Sequence, residues 1–274
     1  MNTYDIMQFA LSFADINEIP ADSGIIIEGE NIKKVLIGVD MEGSELLLAR
    51  DLSADLVISH HPKTGSPQVN FHNVMTRQID KMVEVGIPIN KAQKALKDAM
   101  GKIERSHHAG NYDRVASFAK LMNIPYMNIH MPADIITENF VQNHINTYLG
   151  DNPKATLENV LSILAQIPEY ANAIAKPVIR AGSSDDYAGK ILVLMAGGTN
   201  GGEKVFKAYF EAGVGTIICM HIPDDVRQSV IEQNIGNVIV AGHMASDSIG
   251  LNILCKELEH KGLTIIKTGG ILAV

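Results

Sequence analysis

Imidazole nitrogens and carboxylate oxygens recur along this chain at spacings that suit a transition-metal site. Ten histidines are spread over 274 residues, yet five of them follow directly on short apolar runs. LVIS leads to His60-His61, YMNI to His130, IICM to His221 and VIVAG to His243. Two of these open the same pattern, His130-Met-Pro-Ala-Asp134 and His243-Met-Ala-Ser-Asp247. Residues four apart fall on one side of a helical turn, so each pair can aim an imidazole and a carboxylate at one point. Asp is also favoured as a helix cap, a second reading for Asp134 and Asp247 that does not exclude ligation. Nitrogen with carboxylate oxygen suits zinc, iron, manganese or nickel, and no thiolate is present to select zinc. The donors exceed the needs of one four-coordinate ion, so two divalent transition-metal ions sharing a bridging group are expected.

The remaining candidates carry weaker signals. Pro62 takes the chain out of its strand, so His60 and His61 can face one cavity although alternate strand residues point apart. His107-His108 is equally tandem but sits in the polar stretch KIERSHHAGNYDR and reads as surface. His72, His144 and His260 fall inside helical patterns and read as structural or exposed. Asp40, after VLIGV, reads as a turn residue or a support for a ligand. The segment MAGGTNGGEKVF supplies Gly197, Gly198, Thr199, Asn200, Gly201 and Gly202 between a strand and a helical pattern. Such a loop can turn backbone N–H groups toward an anion at a helix N-terminus, or serve only as a tight turn. It is neither a dinucleotide fingerprint nor a P-loop.

Positioning these groups requires an α/β fold. Short Val- and Ile-rich runs at 35–39, 56–59, 125–129, 176–180, 190–195, 215–220, 237–241 and 263–267 read as strands buried on both faces. Helical patterns separate most of them, at 3–16, 135–149 and 245–261 among others, which argues largely parallel sheets. Residues 71–123 are mostly helical, and 150–176 read as a helical connector from Pro153 with a break at Pro168. The expected division is an N-terminal α/β lobe, 1–150, and a connector with a C-terminal α/β lobe, 151–274. ADLVISHH and VGTIICMH both run a strand into histidine, hinting that the lobes are duplicates.

Composition removes several classes of function. Lys plus Arg number 23 and Asp plus Glu 31, a net charge of −8, which argues against a dedicated DNA or RNA binder. No apolar run approaches the roughly 18 residues of a membrane span, and the N-terminus lacks a basic signal-peptide region. Two cysteines, Cys219 and Cys255, lie in apolar surroundings and read as buried thiols. A cytoplasmic enzyme or binding protein is the expectation.

DLVISHHP after a VLIGVDM strand, HMPAD, GGTNGG and AGHMASD, in that order, resemble the Nif-three-like family, often labelled GTP cyclohydrolase I type 2. The resemblance covers most of the chain. It implies two related α/β lobes with mostly parallel sheets, a dinuclear metal site in the cleft between them, and a toroidal hexamer. It maps the metal ligands onto His60, His61, Asp134, His243 and Asp247, and places the glycine loop beside the site. His130 matches the family's histidine four residues before the ligating aspartate. Two features depart from the family: Asp247 stands where glutamate is usual, and His61 lies 69 residues from His130, across a longer helical stretch than is typical.

The leading expectation is a metal-dependent, hydrolase-like protein acting on a small anionic molecule, such as a nucleotide or another phosphate compound. His130 and His221 are its candidates for proton transfer or ligand support. The alternatives are a non-catalytic metal-binding regulator or metallochaperone, and a nucleotide-binding module that uses the glycine loop alone.

Overall fold

A computed structural model describes residues 1–272 and 274. Among the described residues, two sheets are built to one plan. The first runs β1(Gly24–Ile27)-β4(Tyr126–Asn128)-β3(Leu56–Ser59)-β2(Lys34–Gly38)-β9(Thr264–Thr268). The second runs β5(Val178–Ala181)-β8(Asn237–Val240)-β7(Val214–Cys219)-β6(Lys190–Leu194). In each, three consecutive strands pair in parallel and the strand that precedes them in sequence joins antiparallel at one edge. Each antiparallel strand carries a register shift, between Ile25 and Ile27 in one sheet and between Ile179 and Ala181 in the other. The first sheet adds β9, parallel to β2. This is the α/β fold of two similar, mostly parallel sheets that the strand–helix alternation implied, and the shared strand order bears out the hint of duplication.

The apolar runs are strands because both faces are covered. Val35, Leu36, Ile37, Leu56, Val57 and Ile58 have no exposure at all, and each such side chain contributes about 1.5–3 kcal/mol on burial. Tyr126 is likewise buried, and its hydroxyl donates to the Met41 carbonyl at 2.8 Å, so its one polar atom is satisfied. β1 was not expected. Its four residues are too few to establish a period, and only pairing with β4 fixes them as strand.

The chain divides into two compact units. One contains Met1–Val74, Ile103–Ile136 and the stretch from Asp247, with the first sheet. The other contains Met75–Lys102 and Thr137–Ser246, with the second. No helix among the described residues is long and apolar enough to cross a membrane.

Two helix starts matter most for the site. The helix expected at 135–149 begins at Met131, directly after His130, and the one expected at 245–261 begins at His243. Asp134 therefore lies inside its helix, its N–H donating to the His130 carbonyl at 3.1 Å. Asp247 is the fifth residue of its own helix. Neither carboxylate is an N-cap. Further along the first of these helices, Glu138 Oε2 accepts the N–H groups of Met195 and Ala196, both at 3.0 Å. Gln142 Oε1 accepts that of Val193 at 2.9 Å. Side chains one turn apart thus occupy one N–H group of β6 and the two just past its end.

Candidate metal centre

The first unit gathers its polar groups at the carboxyl ends of β3 and β4. Past the end of β3 the ladder continues: His60 N–H donates to the Gly38 carbonyl at 2.8 Å and His61 N–H to that of Val39 at 2.9 Å. Ser59 Oγ donates to the His61 carbonyl at 2.8 Å, holding the turn before Pro62. Each imidazole is then fixed through Nδ1. His60 Nδ1 meets the Ile129 carbonyl at 3.0 Å, His61 Nδ1 meets Asp40 Oδ1 at 2.9 Å, and His130 Nδ1 meets Asp22 Oδ2 at 2.7 Å. An imidazole that donates from Nδ1 carries its lone pair on Nε2, the form a metal needs.

His60 Nε2 lies 3.3 Å from Asp134 Oδ1 and 3.6 Å from Asp247 Oδ1, and His61 Nε2 lies 3.5 Å from Asp247 Oδ2. The His60 and His130 rings stack with centroids 4.7 Å apart. His60, Asp134 and Asp247 each offer a ligand atom within 4.8 Å of the others, and so do His60, His61 and His130. His60 is fully buried and Asp247 is 1% exposed. A buried polar atom ordinarily finds a hydrogen bond, yet His60 Nε2 makes none of ordinary geometry while facing two carboxylates. Nitrogen and oxygen donors converging in a water-poor pocket are what a divalent transition-metal ion requires, so these residues fit one.

Without a metal, protons answer the same charges. Burial pushes the His60 imidazole down, but Asp247 and Asp134 more than offset it and hold His60 well above the usual histidine range. Burial likewise lowers His130, and Asp134 and Asp22 outweigh it and raise its pKa.

The other sequence candidates lie in the second unit. His221 follows β7, and its ring packs against that of His243 with centroids 4.9 Å apart. His243 stands one turn before Asp247 on the same helix. The loop 197–202 wraps around Gln78, whose Nε2 donates to the carbonyl of Gly197 at 2.8 Å and also to that of Thr199. Several of its own N–H groups are engaged within the loop: Thr199 donates to the Gly197 carbonyl, Gly201 to Thr199 Oγ1 and Gly202 to Asn200 Oδ1. A Cβ at Gly201 would fall on Gln78 Oε1 and on Val205, at a backbone φ of +79°. Close packing inside the chain accounts for glycine at this position.

Asp40, for which the sequence offered a reading as support for a ligand, meets His61 Nδ1 from 21 residues away. Two other residues gained significance only in three dimensions. Asp22 meets His130 Nδ1 from 108 residues away, and its sequence signal, a Pro20–Gly24 turn cluster, does not point to a partner so distant. His107 ends the helix Ile89–His108 and stacks on Phe71 with ring centroids 5.0 Å apart, while Phe71 also touches the His130 ring at 5.3 Å. His107 is therefore packed rather than solvated, and His108 is exposed.

No protein-family model and no curated protein matches the chain. Solved structures do. Reduced HcgD from Methanocaldococcus jannaschii superposes with a TM-score of 0.62 at 16% identity, covering 97% of both chains. A Bacillus cereus protein related to NIF3 gives 0.54 at 12% identity, covering 100% of this chain and 99% of its own. At these identities they show a shared fold. A NIF3 superfamily protein from Sphaerobacter thermophilus gives a TM-score of 0.94 at 35% identity, covering 98% of both chains. Identity at that level over nearly the whole length, on one fold, places this chain in the NIF3 superfamily.

Proposed function

We propose that the chain is a metal-dependent, hydrolase-like protein with two divalent transition-metal ions at its centre. His60, His61, Asp134 and Asp247 are the ligands, and His243 completes the set that the family resemblance implies. The observation that carries this reading is the buried group His60, Asp134 and Asp247, with ligand atoms within 4.8 Å of one another and no ordinary hydrogen bond at His60 Nε2. Metal ions bound there would supply Lewis acidity and activate water toward a carbon or phosphorus electrophile. The chain's own part is positional. Asp40 and the Ile129 carbonyl fix the imidazoles of His61 and His60, burial excludes bulk water, and this reading gives His130 and His221 the support of ligands or the movement of protons. A small anionic substrate and assembly as a homo-oligomer, a hexamer by resemblance, belong to the same reading.

Elemental analysis of purified protein tests it. The expected result is about two zinc, iron, manganese or nickel ions per chain, most of them lost in His60→Ala/His61→Ala. Wild-type metal content in that double variant would overturn the ligand assignment.

A second reading, a non-catalytic metal-binding regulator or metallochaperone, draws on two observations. The carboxylates are almost wholly buried, and several donors of the glycine loop are engaged within the chain. The cobalt(II) protein separates the two. Azide or phosphate changes its visible spectrum if a coordination position is open, as catalysis needs, and leaves it unchanged if the ions are fully coordinated.

A further inference from the structure

Asp22 is an ionisable side chain with no exposure, in a turn that the metal reading does not use. The turn is closed by the Ser23 N–H donating to the Pro20 carbonyl at 3.0 Å. It is joined at three points to the last residue of β4 and to His130 just beyond it. Asn128 Nδ2 donates to the Asp22 carbonyl at 2.6 Å, the His130 N–H donates to Ser23 Oγ at 3.0 Å, and His130 Nδ1 meets Asp22 Oδ2 at 2.7 Å. The other Asp22 oxygen accepts from Ser23 Oγ at 3.2 Å. Among the described residues, no lysine or arginine forms an ion pair with Asp22. The imidazole that faces its carboxylate is that of His130.

A buried carboxylate without a compensating charge is strongly disfavoured, whereas a neutral amide or hydroxyl could have held the turn at lower cost. The carboxylate has a purpose in the His130 ring: an acidic acceptor at Nδ1 fixes the tautomer and orientation and raises the basicity of Nε2. His130 Nδ1 is also 3.5 Å from Asp134 Oδ2, a competing acceptor on the candidate ligand itself. By taking Nδ1 at the shorter distance, Asp22 leaves Asp134 available to the centre.

We propose that Asp22 is a positioning residue of the metal centre, fixing His130 as the Nδ1–H tautomer with Nε2 presented beside His60 and His61. The proposal rests on the metal-binding reading above, and one of its two readouts does not depend on that reading. Wild type, Asp22→Asn and Asp22→Leu are prepared metal-free with 15N-labelled histidine. Long-range 1H–15N spectra at alkaline pH report the tautomer of the neutral His130 ring. Cobalt(II) titration of the same samples reports affinity. Asn can still accept from Nδ1 and should largely keep the tautomer, with cobalt(II) bound about 10-fold more weakly. Leu should abolish the tautomer preference and weaken cobalt(II) binding by about 10–100-fold. If Leu at this position prevents folding, the isosteric Asn variant still decides through its affinity. An unchanged His130 tautomer in Asp22→Leu, or wild-type cobalt(II) affinity in Asp22→Asn, overturns the proposal, since a residue that only shaped the turn would move neither. Failure of wild type itself to bind cobalt(II) would instead count against the metal reading, and the tautomer comparison would still decide whether Asp22 fixes His130.

Discussion

Asp40 Oδ1 lies 2.9 Å from His61 Nδ1 and also 2.6 Å from Lys63 Nζ, so one carboxylate oxygen orients a candidate ligand and neutralises a lysine beside it. Asp40 is 46% exposed, and its removal leaves the core untouched. Asp40→Ala should change stability by no more than about 0.5 kcal/mol while weakening metal binding by about 10-fold as His61 loses its orientation. Thermal unfolding and metal titration of the same variant measure the two effects separately. A metal affinity equal to wild type would mean that the His61 orientation is irrelevant to binding.

Asp247 is the more severe position. Asp247→Ala should lose metal, because it removes a carboxylate that faces both His60 and His61. Asp247→Glu should retain metal but fold less stably, by about 1–3 kcal/mol, since the longer side chain enters a site that is 1% exposed. Since Asp247 does not cap its helix, Asn is not a sufficient replacement. Full metal content in both the Ala and the Asn variants would eliminate Asp247 as a ligand.

The metal-free protein should become less stable as the solution turns alkaline. His60 and His130 are raised above 6.5 in the folded state. Their protonation therefore stabilises the fold fully below about 6.5, the unfolded value, and that contribution disappears as pH rises through the folded values. Chelator-treated protein followed by calorimetry from mildly acidic to alkaline pH should show a falling Tm. Added metal should protect increasingly over the same range, because imidazoles bind metal only when deprotonated. A metal-free Tm that rises across this interval would contradict the charge arrangement described.

Asn200→Asp tests the glycine loop better than enlarging Gly201, which packs against Gln78 whether or not a ligand binds. An aspartate keeps the acceptor that Asn200 Oδ1 offers to the Gly202 N–H and adds one negative charge. If an anion sits against the loop, phosphate-compound affinity should drop at least tenfold, about 1.4 kcal/mol, with metal content unchanged. Calorimetric titration giving the same affinity for both proteins would reduce the loop to a strand–helix turn.

Native-state alkylation should spare both cysteines. Burial pushes the thiols of Cys219 and Cys255 up to about 12, and the thiolate is the reactive form. A thiol reagent at neutral pH should label the protein only on unfolding. Rapid labelling of the folded chain would reveal an opening of the core around β7 or the final helix.

The strands that carry the histidines were legible because a covered parallel strand is an unbroken apolar run, and His60, His61, His130, His221 and His243 interrupt the chain just beyond four such runs. The ends of the helices were not legible from periodicity. Met131 and His243 begin their helices four and two residues before the expected starts at 135 and 245, and only the backbone bonds show Asp134 and Asp247 inside. Long-range partners were hidden altogether. Nothing near β2 announces that β9 will pair with it, and nothing near Gly197 announces Gln78, 119 residues earlier. The polar stretch around His107 misled for a related reason: its ring is covered by Phe71, which is remote in sequence.

The seal that Glu138 and Gln142 place on β6 bears on how this protein behaves when crowded. A bare edge strand offers other chains a row of unmet N–H and C=O groups, the template from which aggregates grow. Here the N–H groups of Val193, Met195 and Ala196 are occupied by a helix of the same chain. Replacing both side chains with alanine would free these three N–H groups at the end of β6, and the first symptom to expect is turbidity in concentrated samples, arising before any loss of bound metal.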